Sequence, residues 1–245
     1  MSVEPHIESK ELSPLCPGQA MLFFIAAGVL LYVATHIGIP FMAERTSLEP
    51  IVLWFLLGGL GVFVPITITA ITTLLIEGVP FRIPDLKQRL RFAPMNKGDW
   101  LWTLGGIVAI GIASAAVVGI LHAVSGEVSL HPSFMKMEPL SEGRYWILAA
   151  WLLFWLFNIL GEEVLWRGVL LPRQEAHTGK WAWLPHAIGW GVFHIAFGWT
   201  LLLTLLPIIL ILPYIVQKRR NSWIGVIIHA GLNGPGFIAV AFGAT

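Results

Sequence analysis

Three short patches of this chain carry side chains that could do chemistry, and each lies in strongly apolar sequence. Glu162, Glu163 and Arg167 close the run from Tyr145 to Leu160, in which Asn158 is the one strongly polar residue. His194 ends Trp190-Gly191-Val192-Phe193-His194, and His229 and Asn233 stand four apart in His229-Ala230-Gly231-Leu232-Asn233. A carboxylate can act as general base toward water. An imidazole beside it can hold that water and pass a proton. A second imidazole and an amide can donate to a developing oxyanion. Base, water-holder and oxyanion donors would together hydrolyse a peptide bond without a covalent nucleophile, and no Ser or Cys stands beside them.

Spacing separates roles within the first patch. On a helix, Glu163 and Arg167 share a face and can pair. Glu162 projects about 100° away and is left without that partner. Glu162 is therefore the working carboxylate, with Glu163 and Arg167 as structural support. Each residue alone has a plainer reading: a helix-end ion pair, a satisfied packing histidine such as His186, an amide capping a break before Gly234-Pro235-Gly236. Together they are harder to dismiss, since every polar group in a membrane helix needs a partner.

The elements that must position them are membrane helices. Of 245 residues, 56% are hydrophobic and 12% charged, against about 25% charged in soluble domains. The expected class is all-α, a polytopic membrane helical bundle with its cavity open to the cytoplasmic side. A net charge of +1 gives no reason to expect nucleic acid as a partner, and the single Cys16 supports neither a disulfide framework nor a cysteine metal site. Cys16 could be acylated, a free thiol being the plainer reading.

Apolar runs of about 20 residues place spans near 18–39, 51–76, 99–123, 145–164, 182–198, 199–217 and 222–243. That makes about seven, within six to eight. The split at Gly198 rests on length, and the last span is expected to break at Asn233–Gly236. Residues 1–17 form a polar tail, 18–245 a single helical membrane domain, and 145–240 its motif-bearing core. With the N-terminus inside, Lys and Arg fall mostly on the cytoplasmic side, leaving Arg45, Lys136 and Arg144 outside. The short tail and compact length suggest a prokaryotic inner membrane. Glu162 then sits at the cytoplasmic end of its span, with His229 roughly 10 Å and Asn233 and His194 roughly 16–18 Å deep. Phe81–Trp100, with Ile83, Leu86 and Leu90 at helical spacing, reads either as a membrane-surface helix or as a solvated basic loop. His131 in the outer loop reads as a plain surface histidine.

The three patches resemble the CAAX prenyl protease and bacteriocin-processing (Abi) family of intramembrane endopeptidases. Its Glu-Glu-x-x-x-Arg motif is similar to Glu162, Glu163 and Arg167, its Phe-x-x-x-His to Trp190 through His194, and its His-x-x-x-Asn to His229 and Asn233. Order and membrane placement match over roughly residues 145–240. The resemblance implies that Glu162 activates water with help from His194, while His229 and Asn233 form the oxyanion hole. Trp190, where Phe is usual, is expected to alter packing and substrate fit rather than chemistry. The family was long suspected of using zinc, which two His and a Glu could ligate. No His-Glu-x-x-His helix exists in this chain, so the expectation is a metal-independent glutamate mechanism with no cofactor. Partners implied are the lipid bilayer and a lipidated or membrane-associated peptide. A non-catalytic scaffold or immunity protein and a small transporter are the other classes open to the sequence. No inverted repeat supports the transporter.

Overall fold

The computed structural model describes residues 12–126, 128, 132–135 and 137–243. Glu4, Glu8, Lys10, Glu11, Glu127, His131 and Lys136 lie outside the described residues. Besides short 3₁₀ turns at Ser133–Met135 and His194–Phe197, eight helices and no strand occur among those described: α1 Pro17–Ala43, α2 Pro50–Ile76, α3 Ile83–Arg89, α4 Lys97–Ser125, α5 Trp146–Trp181, α6 Trp183–Phe193, α7 Trp199–Arg219 and α8 Ser222–Ala241. All except α3 and α6 are long and apolar enough to cross a membrane. The chain is a multi-pass helical bundle.

Two expectations are corrected. The stretch expected to span at 182–198 is a short α-helix that tightens into a 3₁₀ turn at His194–Phe197 and brings Phe197 against Phe134. Gly198, at φ 86, turns the chain into α7, so the division at Gly198 holds. The span at 145–164 does not end there; its helix runs on to Trp181. Helix α5 survives the drop in hydropathy because its later charges are met from elsewhere. Arg91 donates to both oxygens of Glu175 at 2.8 and 2.9 Å, and Arg173 donates to the Ser13 carbonyl at 3.0 Å. Finally, α8 passes unbroken through Asn233–Gly236, with Pro235 inside it. Membrane helices tolerate such a proline where neighbours satisfy the freed backbone.

Close approaches set the helix neighbours. A Cβ on Gly28 would lie 3.3 Å from the Val192 carbonyl, so α1 packs directly on α6. Gly161 faces Thr67 and the Phe63 carbonyl of α2, beside Glu162. Gly106 of α4 lies against Ile215 and Ile228 of α7 and α8.

The segment around α3 is docked on the bundle and is not a free loop. Leu90 is buried, Leu86 packs on the core and Ile83 is exposed. Arg89 holds Glu77 through two hydrogen bonds of 2.6 and 2.8 Å. Ser222 donates to the carbonyls of Leu90 and Arg91, at 2.6 Å through Oγ and 2.9 Å through N. The strap is thereby clamped across the ends of α5 and α8. The end of the tail is docked too: Leu15 is buried and its N–H donates to the Arg173 carbonyl at 3.0 Å.

Candidate active site

Helix α5 is α-helical to Glu162 and π-helical over Glu163–Leu170. Such π segments recur at functional sites. The stretch is also among the most buried of the chain: Glu163 and Arg167 are fully buried and Glu162 is 2% exposed. Glu162 thus lies midway along a long helix rather than at its end.

Glu162 is not without partners. Its Oε2 accepts the indole N–H of Trp190 at 2.8 Å and that of Trp166 at 3.3 Å. Phe24 stacks on Trp166 with centroids 4.5 Å apart, holding that indole in place. No hydrogen bond among the described residues involves Oε1. One oxygen is anchored and the other is left open.

Trp190 connects four of the motif residues. Its carbonyl lies 2.8 Å from His194 Nδ1. A carbonyl only accepts, so Nδ1 carries the proton and Nε2 of a neutral ring is an acceptor. The Trp190 ring also stands edge-on to His229, with centroids 5.5 Å apart, and lies 3.7 Å beneath the Arg167 guanidinium. Trp190, expected to bear on packing and substrate fit, also makes a polar contact within the site. Its N–H reaches the carboxylate, which phenylalanine could not do.

Glu163 organises the second histidine. Its Oε1 lies 3.1 Å from Arg167 Nη1 and 2.9 Å from His229 Nδ1. The spacing-based pair is present, yet none of the three guanidinium nitrogens makes an aligned hydrogen bond among the described residues. Ion pairing and stacking on Trp190 hold the guanidinium instead. Gly225 of α8 permits this geometry, since a Cβ there would collide with Glu163 Oε2. His229 Nδ1 donates to the carboxylate, so its Nε2 can donate only when the ring carries a second proton.

Asn233 lies one turn beyond His229 on α8, exposed and without a hydrogen bond among the described residues. Glu162, Glu163, Arg167, Trp190, His194 and His229 are brought together; Asn233 is at their edge. His186 is a paired core histidine, with Nδ1 2.6 Å from Gln174 Oε1. Sequence reasoning missed Trp166, whose place four residues after Glu162 was the available signal, and Gln174.

Zinc would need three or four ligating side chains to converge. Among the described residues no three His, Cys, Asp or Glu side chains gather as a metal site requires.

Fold and site together define a multi-pass helical membrane protein with a buried, indole-anchored carboxylate and two oriented histidines gathered around Trp190. Residues 144–234 match the family model described as Type II CAAX prenyl endopeptidase Rce1-like. That range contains all three motifs and bears out the resemblance read from them; at the level of the family it implies a protease. No curated protein and no solved structure matches the chain.

Proposed function

We propose that the chain is an intramembrane endopeptidase that hydrolyses a peptide bond in a lipidated, CAAX-type or other membrane-associated peptide, using water activated by Glu162. The single observation that carries this reading is the half-used carboxylate: Oε2 pinned by two indole N–H groups, Oε1 without a partner. Oε1 takes a proton from water as the oxygen attacks the carbonyl carbon. His194 Nε2 accepts the water's other hydrogen and fixes its direction. The oxyanion is met by the Asn233 amide and by His229 in its doubly protonated form, whose charge Glu163 balances. Collapse of the tetrahedral intermediate breaks the C–N bond, and Glu162 returns its proton to the leaving amine. No metal enters these steps. We place the site on the cytoplasmic side of a prokaryotic inner membrane, with the N-terminus inside, on the strength of the Lys and Arg bias.

The test compares membranes carrying the native chain with membranes carrying Glu162→Gln at equal expression, cataloguing new peptide termini by mass spectrometry. Loss of the base costs about 10²–10⁴-fold in rate, so cleavage products are expected only with the native chain. Equal products from both would overturn the glutamate mechanism. No products from either, with peptide still bound, would favour a binding scaffold.

A further inference from the structure

We infer that the face of α5 running back from Glu162 through Asn158 to Trp155 hydrogen-bonds the main chain of the peptide substrate. The inference rests on the endopeptidase reading above and adds the groups that hold the peptide. Trp155, Asn158 and Glu162 fall within the α-helical part of α5 at i, i+3 and i+7, on one face. Asn158 is 9% exposed, and its Oδ1 is buried with no hydrogen-bond partner among the described residues. The Trp155 Nε1 is buried and equally unpartnered. Buried indole N–H and amide oxygens normally find partners. Here one donor and one acceptor lie unmet on the face that carries the working carboxylate.

The opposite wall is α8. Gly234 faces the Trp155 indole, whose nearest atom would lie 3.7 Å from a Cβ there. Phe237 stacks on Trp151, centroids 4.5 Å apart and rings 5° from parallel, closing this interface beyond Trp155. The inward arc of α8 contains Gly225, His229 and Phe237, all buried, and by helical angle it contains Asn233 and Gly236 as well. Yet Asn233 and Gly236 are exposed. The packed face of α8 therefore opens at their level, between the catalytic histidine and the aromatic stack.

An extended peptide presents an N–H and a C=O at each residue. Away from water these must be met by protein. Trp155 Nε1 supplies a donor for a substrate carbonyl and Asn158 Oδ1 an acceptor for a substrate N–H. From Glu162 to Trp155 the helix rises about 10 Å, room for about three residues of extended chain. Both polar atoms are covered, so entry must part α5 from α8 locally. Pro235 cannot donate to the carbonyl of Gly231 and is flanked by glycines, which makes that turn of α8 the one that gives.

The experiment measures binding, so it does not depend on turnover. Detergent-solubilised Glu162→Gln protein is titrated against a fluorescent peptide ending in farnesyl-cysteine and three further residues, and against versions in which single backbone amides are replaced by esters. Adding Asn158→Leu or Trp155→Phe is expected to weaken binding about tenfold, the worth of one hydrogen bond. One ester position should weaken binding to the Glu162→Gln protein about tenfold and leave the protein that also carries Asn158→Leu unaffected. Equal binding by all variants, or no binding by the parent, overturns the assignment. Should a variant fail to fold, the ester series on the parent decides: no position-dependent loss overturns it. Cleavage that persists in Glu162→Gln would sink the glutamate reading and leave these binding results standing.

Discussion

Trp190 donates its indole N–H to Glu162 Oε2 across 2.8 Å, while its own carbonyl lies 2.8 Å from His194 Nδ1. The proposed base and the histidine proposed to orient its water are thus set by one residue, through its two ends. Removing the indole alone tests this. Trp190→Phe keeps an aromatic ring beneath Arg167 but loses the N–H, and a hydrogen bond to a charged group contributes about 1.5–3 kcal/mol. We expect kcat to fall at least tenfold together with a fall in Tm from the lost bond, measured on purified protein with a lipidated peptide.

The buried Glu163–Arg167 pair separates stability from chemistry. Arg167→Leu leaves a fully buried carboxylate without its cation, a loss of about 3–5 kcal/mol. Thermal unfolding in detergent should show it directly. The double variant Glu163→Leu/Arg167→Leu should regain most of that stability, since apolar residues replace buried pairs well. Its cleavage should stay lost, because His229 no longer has an acceptor for Nδ1–H.

Gly225 gives a subtler version of the same test. Gly225→Ala places a methyl against Glu163 Oε2. Overpacking of this kind costs about 1–3 kcal/mol. The expected result is a modest fall in Tm with a larger fall in kcat, because Glu163 must shift away from His229.

Arg91 holds the strap to α5 by two hydrogen bonds to Glu175 while itself in the left-handed region, at φ 60. Arg91→Ala loses both bonds, about 2 kcal/mol. Limited trypsin digestion should then cut at Arg82 or Lys87 faster than in the native chain, with the bundle still folded.

Much of this was legible where spacing alone decides. The Glu163–Arg167 pair follows from four-residue spacing, and His229 and Asn233 do share one helix. What escaped depended on distant partners. The 28-residue separation of Trp190 from Glu162 and the 66-residue separation of His229 from Glu163 leave no local trace. The expected span stops at 164, short of Arg173 and Glu175, whose partners Ser13 and Arg91 come from other segments. Pro235 reads as a break because pattern rules penalise the missing N–H, whereas a bundle can carry it. The π segment has no sequence signature of its own, and it is what takes Glu163 and Arg167 through the core.

That segment also gives α5 two angular registers. Its wider hydrogen-bonding pattern leaves backbone carbonyls spare, and Arg89 takes that of Gly168 at 2.8 Å. Residues before it are phased to aim Glu162 at Trp190; residues after it are phased to aim Glu175 at Arg91. A regular helix advances about 100° per residue, so deleting one residue between the two would bring one set into line only by turning the other away. The helix works as a coupling with a fixed offset, and Glu162 and the strap that covers the bundle end hold a set angle to each other through it.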